Sequence, residues 1–369
     1  MSEISRRDFL SSSALLAIGS GLCASTFNLE ALAAAPKTQR AVADILHMSD
    51  VQIAKQSVVV QAAHRVIVEA AKQIRDNSLR STVLAILENP VPTIAKGNEK
   101  EILSRLQKEN LIDPARKEVF PPVKNPEQSP QPFWSAPGSG YTSHHAYPGG
   151  LVTHTALNVV SAQSLVKNYM DVNGLSLDYD AAVGGEILHD LHKPWVFAWQ
   201  DDHSCRKEQL LAATGEHHVL SIAESIARKV PAQVVVAQAC AHEHPATPAG
   251  EKLVVGWIKA ASIIAGVDPI KTGLLDKSGN TLPLPRRIEG WVVHLADHDF
   301  VISTSACRWT AAALERLAKE NYGLSDVQQL NSFRNYVMAN LTAMRLYGIL
   351  SSQGEKAFAN GVGREIRTW

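Results

Sequence analysis

Apolar side chains recur at helical spacing along almost the entire chain. Val42, Ile45, Leu46 and Ile53 open a helical stretch that runs over residues 39–74. Shorter helices are predicted over 81–87 and 100–111, parted by Asn89-Pro90-Val91-Pro92. The segment 153–170 carries Leu157, Val160, Leu165 and Val166 on one face. Further helices follow over 179–192, 216–228, 232–242, 253–265 and 288–300. Lys229-Val230-Pro231 joins two of them, and Asp276-Lys277-Ser278-Gly279-Asn280 marks a turn before the last. Helices over 310–319, 327–341 and 343–350 complete the series. No alternating strand pattern stands out, and a two-stranded ribbon near residues 272–284 is the single candidate. The fold class is all-α.

Residues 114–141 break the pattern. They are rich in Pro, Gly and Ser, yet Phe133 and Trp134 need burial, so the segment reads as an ordered loop wrapping toward a site. The chain length suits one large domain or a domain with helical extensions. Lys plus Arg and Asp plus Glu both number 36, so no strong nucleic-acid-binding surface is advertised.

Chemistry concentrates in the middle. Of the fourteen histidines, all but His47 and His64 fall between His144 and His298. Their order is His154, His189-Asp190, His217-His218 and His242-Glu243-His244, followed by Asp297. An adjacent His-Asp pair on a helix points two metal donors toward nearly one place. A lone upstream His and a lone downstream Asp can close the shell. Imidazole and carboxylate without thiolate suit Mn or Fe, with Zn, Mg or Ni also compatible, rather than a structural zinc knot. Neighbours on a helix diverge by about 100°, so one histidine of each pair is expected to face an ion. His218 is preferred over His217, because Ser221 leaves a small gap beside it, and His242 over His244, because the helix ends near Pro245.

The order His154 … His189-Asp190 … Asp297 resembles the H…HD…D signature of the HD-domain superfamily, mostly metal-dependent phosphohydrolases. The run His144-His145-Ala146-Tyr147-Pro148-Gly149-Gly150-Leu151-Val152-Thr153-His154-Thr155 is similar to a stretch of HD-domain 3′–5′ exoribonucleases. His189-Asp190-Leu191-His192-Lys193 resembles HDxGK, with His192 where Gly is usual, and His294-Leu295-Ala296-Asp297 resembles the closing H-x-A-D. The resemblance covers about residues 140–300 and implies an HD-type helical core over 140–305. A helical extension with the Pro-rich loop (36–139) would precede it, and C-terminal helices (306–369) would follow.

The implied ligands to one or two divalent ions are His154, His189, Asp190, His218, His242 and Asp297. Asp190 and Lys193 carry the catalytic roles. His144, His145, Tyr147, His217 and His244 contact substrate or support the ligands. Asp297 is preferred over Asp299 because it follows the Leu-Ala pair as in the family, and Asp299 would fall on another helix face.

At the N-terminus, Ser5-Arg6-Arg7-Asp8-Phe9-Leu10 resembles the twin-arginine consensus. A weakly apolar run and Ala31-Leu32-Ala33-Ala34-Ala35 follow. Residues 1–35 are therefore expected to be an export signal engaging the twin-arginine translocase, with a periplasmic or otherwise exported product. Folded export lets Mn or Fe be installed before competing Cu and Zn are met. Beyond the signal, Cys205, Cys240 and Cys307 remain, too few for a disulfide scaffold.

The expected function is hydrolysis of a phosphomonoester or phosphodiester, on a small-molecule or nucleotide substrate, by metal-activated water. The alternatives are a di-iron oxygenase resembling myo-inositol oxygenase and a non-catalytic, metal-stabilised binding protein.

Overall fold

Two serines cut the first predicted helix into pieces. In the computed structural model, which describes residues 39–123, 130–140 and 143–368, a two-residue strand β1 (Arg40–Ala41) leads into α1 (Val42–Ile45), α2 (Asp50–Gln56) and α3 (Val58–Lys72). Ser49 caps α2 in a reciprocal box with Gln52. Ser57 caps α3 through Val60 N–H and donates its own hydroxyl to the Ala339 carbonyl, so the break doubles as a tie to the C-terminal part. The twin-arginine-like segment lies outside the described residues. Among them, no helix is long and apolar enough to cross a membrane.

Asp76 and Asn98 cap α4 (Asn77–Glu88) and α5 (Glu99–Lys108). The central helices are α6 (Gly150–Asn173), α7 (Tyr179–Leu188), the short α8 (Lys193–Val196), α9 (Glu216–Ala227), α10 (Ala232–Ala239), α11 (Pro248–Ala265) and α12 (Glu289–Ala296). The chain ends with α13 (Phe300–Tyr322), α14 (Val327–Leu341), α15 (Ala343–Gly363) and β4 (Ile366–Arg367). The helices expected over 310–319 and 343–350 are thus the middle and the first part of longer ones. Within α15 the backbone bends at Gly354, whose φ is 79°.

The fold is all-α, as read. The strands among the described residues are two small pairs, and neither is the ribbon expected near 272–284. That region is a series of turns with Leu274, Leu275 and Leu282 buried, an apolar spacing set by loop packing rather than by pairing. One pair joins β1 to β4 in parallel, bringing Arg40 opposite Ile366. The other is a hairpin, β2 (Leu210–Leu211) with β3 (Thr214–Gly215).

Helices α6, α7, α10 and α12 pack on one another, with α9 against α10 and α11, and α3 covers α6. Close approach needs small residues. A Cβ on Gly185 of α7 would lie 3.1 Å from the Gln238 nitrogen and 3.3 Å from Ala237 Cβ. The face of α6 also differs from the expected one. Val159, Ala162 and Val166 are buried, while Leu157 and Val160 are exposed.

Candidate metal centre

The candidate ligands sit at helix ends, not along helices. Gly149 adopts φ 80° to start α6, and a Cβ on Gly150 would lie 1.8 Å from the His145 carbonyl. Only the Gly-Gly pair permits this turn, which buries His154 just past the first turn of α6. Helix α7 stops at Leu188, so His189-Asp190 occupies the turn before α8 rather than the helix expected through 192. Likewise α10 stops at Ala239, leaving His242 on the following turn rather than on the helix. Asp297 caps α12, and His217 and His218 lie in the first turn of α9. Three C-terminal helix ends (α7, α10 and α12) thus supply donors, and their partial negative charge favours a cation.

Two buried carboxylates stand among four imidazoles. Asp190 Oδ2 lies 3.1 Å from His189 Nε2 and 3.4 Å from His154 Nε2. Its Oδ1 lies 3.4 Å from His217 Nε2 and 4.0 Å from His242 Nε2. Asp297 Oδ1 is 3.0 Å from His154 Nε2 and 3.3 Å from His189 Nε2, and its Oδ2 is 3.5 Å from His242 Nε2. His189 Nε2, His217 Nε2, Asp190 Oδ1 and Asp297 Oδ2 are buried and have no hydrogen-bond partner. Buried polar atoms are ordinarily satisfied, and one or two cations held among these groups would satisfy them.

The donor set fits an ion without thiolates. His154, His189 and Asp297 form one group that could hold a metal, and His189, Asp190 and His242 form another. His217, His218 and His242 form a third, their donor atoms within 4.8 Å of one another. Both members of the His217-His218 pair therefore reach one neighbourhood, despite their divergence on the helix. The His218 ring stacks on His242, with centroids 3.2 Å apart.

The far nitrogens are tied down. His189 Nδ1–H donates to the Glu186 carbonyl at 2.6 Å, His217 Nδ1–H to Glu208 at 2.5 Å, and His154 Nδ1–H to Asp299 at 2.8 Å. Such bonds present the Nε2 lone pair inward.

Asp299 would fall on another face if helix α12 continued. It stops at Ala296, and the following 3-10 turn places Asp297 and Asp299 against opposite nitrogens of the His154 ring. Glu186, fully buried, with neither carboxylate oxygen hydrogen-bonded and Oε1 3.6 Å from His189 Nδ1, has no place in the family motif. Being three residues before His189 was its only signal.

The remaining predicted residues separate by position. Lys193 is buried, its ammonium paired with Asp190 and donating to the Gly138 carbonyl of the Pro-rich segment. His144 lines a cavity of about 410 Å³ together with Lys193, His217, His218, His242 and Asp297, and its Nδ1 is unpartnered. His145 bonds Asp299 at 2.8 Å and Tyr147 at 3.0 Å, so both stand behind the ligands. His244 is apart: it faces His294, and its Nδ1 accepts from Ala246 N–H. His192 is also outside the cluster. Its ring lies 3.5 Å from Glu224, and its backbone N–H donates to the Ser221 hydroxyl that seats α9 against this turn.

Charge follows from this crowding. Burial opposes protonation of His154, but Asp299, Asp190 and Asp297 outweigh it and push the imidazole up to about 10. His189 is raised for the same reason by Asp190 and Asp297. Burial holds His242 down to about 3 and pushes Glu186 up to about 8. Asp190 and Asp297 stay ionised despite burial, chiefly through His189. Without an ion, protons on His154 and His189 supply the positive charge, and metal binding would release them.

No family model matches the chain, and no solved structure matches it. Over 176 residues it is 25% identical to the dihydroneopterin 2′,3′-cyclic phosphate phosphodiesterase of Methanocaldococcus jannaschii. The match covers 48% of this chain and 58% of that protein, so a little over half of the relative's length is spanned.

Proposed function

We propose that this chain is an exported, metal-dependent phosphoester hydrolase of the HD-domain type. The observation that carries the reading is the clustering of His154, His189, Asp190, Asp297, His217 and His242, in which His189 Nε2, His217 Nε2, Asp190 Oδ1 and Asp297 Oδ2 are buried without a hydrogen bond. The distant relative is a cyclic phosphate phosphodiesterase, which supports phosphoester cleavage over the oxygenase alternative.

His154, His189, Asp190 and Asp297 would hold one ion, and His242 with His217 or His218, sharing Asp190, would hold a second. A bound divalent ion supplies charge that acidifies water and neutralises phosphoryl oxygens; Mn or Fe is the proposed metal. The chain's own residues do the rest. Lys193, fixed by the Gly138 carbonyl, locks the Asp190 carboxylate in place. Asp299 and Glu208 set the His154 and His217 rings. His144, which lines the cavity with its Nδ1 unpartnered and is kept neutral chiefly by burial, would accept a proton from the water that adds to phosphorus. The leaving oxygen would take that proton back from His144 as its P–O bond breaks and depart as the alcohol.

The test is elemental analysis of natively folded and exported protein, paired with a screen of phosphoesters. The proposal expects at least one equivalent of Mn or Fe and turnover of a phosphomonoester or phosphodiester. A di-iron protein that consumes dioxygen and cleaves no phosphoester would contradict it.

A further inference from the structure

Resting on that reading, we infer that the cavity admits a substrate with a single phosphoryl group on a small organic moiety and discriminates against polyphosphates and polynucleotides, with Glu243 as the residue that enforces the choice. The inventory of charge on the wall carries this. Among the described lining residues Lys193 is the one Lys or Arg, and its ammonium is already shared between Asp190 and the Gly138 carbonyl. Sites for chained phosphates add Arg or Lys contacts for each further phosphate, and the described wall offers none.

The wall instead presents carboxylates. Glu208 is occupied by His217. Glu243 accepts one bond from the His244 N–H at 2.9 Å, its carboxylate lies beside Gly250 in the first turn of α11, and it makes no ion pair among the described residues, so no side-chain cation neutralises it at the cavity wall. A phosphate chain leaving the metal cluster would meet that charge, whereas a neutral moiety with N–H or O–H donors would be bound by it.

Apolar surface for such a moiety is present. Leu253, Trp257 and Phe300 line the same space, and Trp257 spends its N–H on the Ala212 carbonyl at 3.1 Å, so it has no donor left to offer. A volume near 410 Å³ suits one small ligand. The balance of 36 basic against 36 acidic residues gives no electrostatic attraction for a long polyanion.

The experiment uses the Mn-loaded protein, titrated calorimetrically with AMP and with ATP, with metal in excess over nucleotide. Turnover of 2′,3′-cyclic AMP, ATP and a short RNA is followed in parallel. We expect AMP to bind at least about tenfold more tightly than ATP, and Glu243→Lys to narrow that ratio about tenfold. Glu243→Gln should narrow it less, and serves if the lysine variant does not fold. ATP bound as tightly as AMP, or a ratio unmoved in a folded Glu243 variant, overturns the inference. So does cleavage of ATP or RNA as fast as cyclic AMP, which leaves the hydrolase reading standing. If neither nucleotide binds and no phosphoester is cleaved, the hydrolase reading fails and takes this inference with it.

Discussion

Asp190 is the residue on which most of the centre turns. It is fully buried, it lies between His154 and His189 on one side and His217 and His242 on the other, and Lys193 holds it. Asp190→Asn keeps shape but removes the charge that would be shared between ions. We expect phosphoester turnover to fall by about 100-fold or more, with helical content by circular dichroism nearly unchanged. Near-parental turnover would place the chemistry elsewhere. The ligand-type residues were readable in the sequence because His, Asp and their order carry the signal locally. Asp299 and Glu186 were not, because their importance depends on where α12 and α7 stop. That is a matter of packing around a polar cavity, which periodicity does not report.

Helix ends, rather than helix faces, organise the site, and one buried network shows how an end is held. Glu224 of α9 accepts from Thr93 and Ile94 N–H, pairs with Arg228 at 2.6 Å and lies 3.5 Å from His192. Burial alone would raise its carboxyl, but His192 and Arg228 hold it at about 2 against a usual 4.5. Because the folded value is depressed, the stabilisation is complete above about 4.5 and is lost as pH falls toward 2. Glu224→Gln should therefore cost about 2 kcal/mol at neutral pH and much less near pH 2. Urea melts at the two pH values check this, and an equal deficit at both would rule out the charge as its cause. Elements with strong apolar periodicity, such as α9 and α14, were placed closely by the sequence. The hairpin at residues 210–215 was not, because its turn residues Ala212 and Ala213 take positive φ without the usual Asn or Gly. Ala212 is held there by its N–H on the Leu111 carbonyl and its carbonyl on Trp257.

For the molecule as a whole, the N- and C-terminal segments are not appendages. Strand β1 pairs with β4, Ser57 bonds Ala339, and Asn335 bonds Asp50 at 2.7 Å, so the ends of the described chain close on each other around the core. Export by the twin-arginine route, which carries folded protein, is the proposal that Arg6-Arg7 motivates. Replacing both with Lys should leave folded precursor in the cytoplasm, visible by cell fractionation; unchanged export would remove the twin-arginine proposal. All-helical architecture was readable from spacing alone. Closure of the ends was not, since pairings more than 280 residues apart, such as Ser57 with Ala339, leave no local trace.

The central claim is that the His-Asp cavity hydrolyses phosphoesters only with a metal in it. The most direct measurement is the initial rate of 2′,3′-cyclic AMP hydrolysis before chelation, after removal of metal to well below one equivalent, and after add-back of Mn or Fe. The account predicts loss of the rate with the metal and its recovery on add-back, with recovery abolished in Asp190→Asn. A rate that survives complete metal removal, or a metal-replete protein that cleaves neither this ester nor any other in the screen, would contradict it.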